Sequence, residues 1–215
     1  MRFIRDGGKR RVKDGRVDAE LWNNRYAAEG FVYGMEPNDF VAEVAAQIPP
    51  GPVLCLAEGE GRNAVYLASL GHAVTAVDHA EAGLAKARRL AAARGVALET
   101  VTADLADYRI TPGAWAGIVS VWAHLPSALR RKLHAQVGPG LQPGGVFILE
   151  AYSPAQLAYD TGGPRNADLL MTAAQLREEL AGLDFEILRE LERDVHEGTK
   201  HTGRAAVVQA LARRS

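Results

Sequence analysis

The run from Val53 to Leu67 constrains this chain more than any other: an apolar strand, a turn carrying Gly59 and Gly61, and a helix. Val53 to Leu56 is a short apolar run of the kind a parallel strand covered on both faces needs. Gly59 and Gly61 let the backbone turn tightly, since neither has a Cβ. The helix predicted from Arg62 to Leu70 ends at Gly71, placed for a left-handed cap. A helix N-terminus offers unpaired N–H groups to a polar or anionic ligand, so a nucleotide-like ligand is expected here.

The rest of the chain repeats the unit. Strands are predicted at 73–77, ending at Asp78, at 96–102, near Asp104 and Leu105, at 117–122, and at 146–152 after a Pro143-Gly144-Gly145 turn. Helices are predicted at 80–94, stopped by Gly95, and from Pro126 to about Val137. Upstream, Asp18 is placed to cap a helix through Ala28, and Asn38 to cap one carrying Phe40, Val41, Val44 and Ile48 at helical spacing. After a helix at 172–181 opened by Thr172, residues 185–195 and 204–212 read as two strands around a 197–203 loop. That hairpin makes the last strand antiparallel. The expected fold is α/β: a three-layer α-β-α sandwich around a Rossmann-like, seven-stranded, mostly parallel sheet with an antiparallel C-terminal strand.

Bulk properties exclude several classes. The 215 residues suit one domain, and a net charge of −1 gives no global pull toward nucleic acid. Residues 1–17 hold seven Lys or Arg against two Asp; they are expected to be a flexible basic arm, with residues 18–215 the single domain. The one cysteine, Cys55, sits mid-strand as core filler and implies a reducing, cytoplasmic setting. No apolar run approaches the ~20 residues of a membrane span. No metal site is expected, and oligomeric state is left open.

Gly59-x-Gly61-x-x-Ala64 fits a dinucleotide fingerprint, with Asp78 placed to take ribose hydroxyls 19 residues after Gly59. Glu58 and Glu60 in the turn would repel a diphosphate, which argues for a nucleoside cofactor without one. Asp104-Leu105 after the third strand, Pro-Gly-Gly before the fifth and the C-terminal hairpin point the same way. An NAD(P)-dependent oxidoreductase and a non-catalytic binding module stay as alternatives.

On these stretches the chain resembles the class I S-adenosylmethionine-dependent methyltransferases, and among them the tellurite-resistance-type and thiopurine-methyltransferase-like small enzymes. Trp22-Asn23-Asn24-Arg25-Tyr26, the stretch from Tyr33 to Phe40, and that from Glu197 to Gly203 narrow it to the subgroup. Cys55 and Ala57 depart from the wider pattern, which often has an acid and a glycine there. The resemblance implies S-adenosyl-L-methionine as cofactor, a small-molecule acceptor, and an N-terminal lid over residues 18–48. The expected cofactor residues are Trp22, Glu58, Gly59, Gly61, Asn63, Asp78, His79, Asp104, Leu105 and Trp122. Tyr26, His124 and His201 are the candidate catalytic groups, and Tyr33, Tyr152 and Arg165 the candidate acceptor contacts.

Overall fold

Alternation inside the buried strands decides which layer each side chain joins. In β1 (Pro52–Leu56), Val53 and Cys55 pack with Phe40, Val41, Leu67 and Leu84 on one face. Leu54 and Leu56 pack with Leu133, Val137 and Leu176 on the other. The computed structural model describes residues 19–215; the basic arm 1–17 and the predicted cap Asp18 lie outside them.

One seven-stranded sheet organises the chain, in the order β3-β2-β1-β4-β5-β7-β6. β2 (Ala73–Asp78), β3 (Glu99–Thr102), β4 (Trp115–Val121) and β5 (Leu141–Tyr152) join β1 in parallel. β7 (His201–Arg213) inserts antiparallel between β5 and β6 (Asp184–Glu197). The helices are α1 (Ala19–Tyr26), α2 (Asp39–Val44), α3 (Arg62–Ser69), α4 (Glu81–Arg94), α5 (Ser127–His134), α6 (Val137–Gly140) and α7 (Ala173–Glu179). This is a Rossmann-like α/β fold with a seven-stranded sheet.

The local chemistry explains most boundaries. Asn38 caps α2 by accepting from Val41 N at 3.1 Å, and Thr172 and Gln175 form a reciprocal capping box on α7. Gly71 (φ +96°) and Gly95 (φ +68°) end α3 and α4 in the left-handed region.

Four expectations need correction. The α5 helix stops at His134, and α6 is a single turn of Val-Gly-Pro-Gly, three of whose four residues are poor helix formers. The Pro143-Gly144-Gly145 turn is a bulge inside β5: Trp115 pairs Leu141 but Gly117 pairs Val146. The 197–203 loop is a tight turn of residues 198–200, and both its flanks are strand. Finally, α2, inside the 18–48 stretch expected as a lid, buries Phe40, Val41 and Val44 in the sheet core.

Candidate active site

The sheet order reverses between β1 and β4, and a pocket opens there at the carboxyl ends of the strands. β1 contributes Ala57 and Glu58, β2 leads to Asp78 and His79, and β3 leads to Ala103, Asp104 and Leu105. β4 continues into Val121 to Leu125, and α1 and its following loop bring Trp22, Tyr26 and Tyr33. His201, at the start of β7, closes the wall.

Two lining residues hold left-handed backbone without being glycine: Ala57 (φ +52°) and Trp122 (φ +55°). Such conformations persist only where surrounding bonds enforce them, and they cluster at functional sites. Trp122 is fixed by its N–H to Glu150 O at 2.9 Å and its indole N–H to Glu197 Oε2 at 2.6 Å.

The acids are built in differently. Asp78 is buried and accepts from Gly59 N (2.9 Å) and Ala80 N (2.8 Å), one bond per oxygen. Burial pushes its ionisation upward, and the Ala80 N–H opposes that. Each oxygen retains a lone pair for a ligand hydroxyl. Asp104 accepts from Ala106 N at 2.8 Å, closing a turn. Glu58 is half-buried, and its Oε1 accepts from Asn63 N (3.0 Å) and Ala64 N (2.9 Å). Burial raises its pKa to about 7 against the pull of the Ala64 N–H.

Glu58 therefore fills the N-terminus of α3, the donor set a diphosphate would use. Glu60, also in the pocket wall, is buried against Lys86 Nζ at 2.8 Å and accepts from Tyr33 N at 3.1 Å. Glu58 excludes a diphosphate by occupying its donors, while Glu60 is neutralised by Lys86 and adds little repulsion. A nucleoside with hydroxyls for Asp78 and an ammonium for Glu58 suits these residues; NAD(P) does not.

The two fingerprint glycines serve packing. A Cβ on Gly59 (φ +63°) would meet Tyr26 Oη at 2.5 Å, and one on Gly61 (φ +90°) would meet Ala87 Cβ at 2.4 Å. Neither lines the pocket, whereas Trp22, Glu58, Asn63, Asp78, His79, Asp104, Leu105 and Trp122 do. Tyr26, Tyr33, His124 and His201 line it too. Tyr152 sits one layer back, its ring 4.4 Å from Trp122 and 5.4 Å from His124, centroid to centroid. Arg165 lies elsewhere, in a separate polar cleft and paired with Asp160.

Sequence reasoning missed a buried polar network behind Trp122. Glu197 accepts from Arg62 (2.5 Å), Asn38 (2.7 Å) and Trp122, and Glu150 accepts from Asn38 (2.8 Å) and Arg193 (2.5 Å). Its only sequence signal is Glu150 in the otherwise apolar end of β5. Among the described residues there is no cluster of His, Cys, Asp and Glu that could hold a metal, and no helix long and apolar enough to cross a membrane.

Residues 53–145 match the family described as "Methyltransferase domain". The chain is 28% identical over 117 residues to a 2-heptyl-1-hydroxyquinolin-4(1H)-one methyltransferase of Mycobacteroides abscessus. That alignment covers 53% of this chain and 52% of the relative, so the chain spans about half the length of the curated protein it matches. Solved structures share the fold. A protein from work on converting a disulfide bond into a thioacetal group during echinomycin biosynthesis superposes with a TM-score of 0.73 (21% identity, covering 92% of this chain and 91% of that one). TehB from Haemophilus influenzae gives 0.67 (20%, covering 92% and 67%). An S-adenosylmethionine-dependent methyltransferase from Clostridium acetobutylicum gives 0.63 (15%, covering 92% and 97%).

Proposed function

We propose that this chain uses S-adenosylmethionine to transfer a methyl group to a small-molecule acceptor, a reading supported by the match of residues 53–145 to the methyltransferase-domain family. The observation that carries the proposal is one pocket joining two surfaces: acids at the ends of β1 to β3, and aromatic rings from α1, β4 and β7. When bound, S-adenosylmethionine supplies an electrophilic methyl group on a sulfonium.

In this proposal Asp78 takes ribose hydroxyls, Asp104 and Leu105 face the base, and Glu58 takes the ammonium that Cys55 cannot. Trp22, Tyr26 and Tyr33 cover the bound cofactor and exclude water, while His79, Asn63 and Trp122 complete the cradle. Orienting an acceptor in a dry pocket accounts for much of a displacement rate. A relative named for a hydroxyquinolinone acceptor supports a small organic molecule.

Thermal-shift titration tests the proposal. S-adenosylhomocysteine at about 100 times its Kd should contribute roughly 2.7 kcal/mol, or ~5–10 °C for a domain of this size. NADH should leave the melting temperature unchanged; stabilisation by NADH and not by S-adenosylhomocysteine would overturn the proposal.

A further inference from the structure

The aromatic side of the pocket is a continuous arc. Ring centroids step from Trp22 to Tyr33 (6.3 Å), Tyr33 to His201 (4.8 Å), His201 to Trp122 (5.1 Å) and Trp122 to His124 (6.2 Å). Such faces favour a flat π-system as partner. The opposing floor is acidic, and the guanidinium that lines the pocket, Arg62, is committed to Glu197 at 2.5 Å. Among the described residues no other Lys or Arg lines the pocket to neutralise an anionic acceptor, whose desolvation would then be costly. The pocket chemistry favours a flat, uncharged acceptor, and one methylated at an O–H, N–H or S–H loses that proton.

Three lining groups compete for that proton. Tyr26 directs its hydroxyl toward Gly59, and burial, followed by the Asp78 charge, keeps it a neutral phenol. His124 turns Nδ1 to Leu169 O at 3.3 Å, and its Nε2 is buried from solvent. His201 differs: its Nδ1 is buried without a hydrogen-bond partner, and the acid nearest it across the turn is Glu197, Oε2 at 3.9 Å, so we take the Nε2 edge to be the one toward the pocket that the ring lines. Glu197 and His201 are the cross-strand pair that closes the β6–β7 turn, so the hairpin itself sets them side by side.

We propose that His201 accepts the proton of a neutral, planar aromatic acceptor bearing an O–H, N–H or S–H, and that Glu197 is the positioning residue that holds its ring with Nε2 toward the acceptor. This rests on the methyl-transfer function proposed above. The acceptor heteroatom's lone pair forms the bond to the methyl carbon. The carbon–sulfur bond breaks with its electron pair going to sulfur, and the heteroatom's proton passes to His201 Nε2. One positive charge is lost at sulfur and one appears on the imidazole, across from the Glu197 carboxylate.

Burial holds His201 below the usual histidine range, against the opposing pull of Glu197, so the ring is a neutral base at physiological pH. The groups facing it are Glu197 from β6, Arg62 from α3, Arg25 from α1, and the rings of Tyr33 and Tyr152. Glu197 stays ionised, because the nearby His201 ring, the Arg62 guanidinium and the Trp122 N–H together outweigh its burial.

Two measurements on the full chain test this. Calorimetry on the protein saturated with S-adenosylhomocysteine should show 2-naphthol binding at least ~10-fold tighter than 2-naphthoate, a gap of about 1.4 kcal/mol. Equal or tighter naphthoate binding, or no naphthol binding, overturns the acceptor class. Nitrogen NMR of the histidines, with His201 assigned by its loss in His201→Gln, should show the Nδ1–H tautomer in the wild type. In Glu197→Gln the His201 midpoint should move to lower pH. An unmoved midpoint, even with a lowered melting temperature, assigns Glu197 a purely structural role and overturns the pairing. Failure of S-adenosylhomocysteine to bind at all would instead strike the methyl-transfer function, and the histidine titration reads out independently of it.

Discussion

Glu58 shows how much one side chain can decide. Its Oε1 caps the start of α3, while its partly open position lets it face the pocket. Because burial raises its folded-state pKa from 4.5 to about 7, the native protein holds this proton more tightly than the unfolded chain. That contribution to stability is complete below the unfolded value and is lost as pH climbs through about 7. Glu58→Gln keeps an acceptor for both amides and removes the titration. Melting curves should coincide at pH 5, and the variant should melt higher at pH 8, with each kcal/mol worth about 2–4 °C. If Glu58 carries the ligand ammonium, S-adenosylhomocysteine affinity in the wild type should rise between pH 6 and pH 8, and calorimetry on Glu58→Gln should lose that dependence. At this scale the sequence was half legible. Asp78 could be placed because it ends a strand. Glu60 could not, since its neutralising partner Lys86 stands 26 residues away on another helix.

Between elements, α4 holds the N-terminal segment in place. Lys86, buried in α4, donates to Ala28 O (2.8 Å), Gly30 O (2.5 Å) and Glu60 Oε1 (2.8 Å). Asn23 Oδ1 accepts from Ala82 N at 3.0 Å, and Gly83 leaves room for the Tyr26 ring, which a Cβ would meet at 2.9 Å. Lys86→Ala strands a buried glutamate and two carbonyls, so urea denaturation should show a loss of about 3–5 kcal/mol. Exchange protection in residues 19–34 should fall with it. The double change Lys86→Met with Glu60→Gln should recover most of the loss, because no uncompensated charge remains. Strand and helix order could be read from periodicity. The Pro-Gly-Gly bulge and the short 198–200 turn could not, because both depend on register with a neighbouring strand. Gly145, for example, must clear Trp115 O, which a Cβ would approach to 3.0 Å.

Across the whole molecule, the two ends of the described chain meet over the sheet. Thr199 N donates to Val32 O at 2.9 Å, and Gly198 (φ +64°) packs so close that a Cβ would meet Val32 O at 2.1 Å. Gly198→Ala therefore combines a left-handed strain of about 1–2 kcal/mol with a backbone clash. Hydrogen exchange should show Val32 to Asn38 opening in that variant, with S-adenosylhomocysteine affinity reduced less than acceptor binding. These contacts, like Arg62 to Glu197 over 135 positions, leave no local trace in a sequence. The sequence pointed to Trp22, Tyr33 and His201 separately, and the fold supplied their adjacency.

That meeting of distant segments has a consequence for synthesis. The strand ends that offer Glu58, Asp78 and Asp104 leave the ribosome well before the β6–β7 hairpin. At ~5–20 residues per second, the segment from Trp22 to Asn38 waits roughly 10–30 s for the turn it docks on. The aromatic wall made first is thus the last to find its partner, and the acids at the strand ends come together before the surface that faces them.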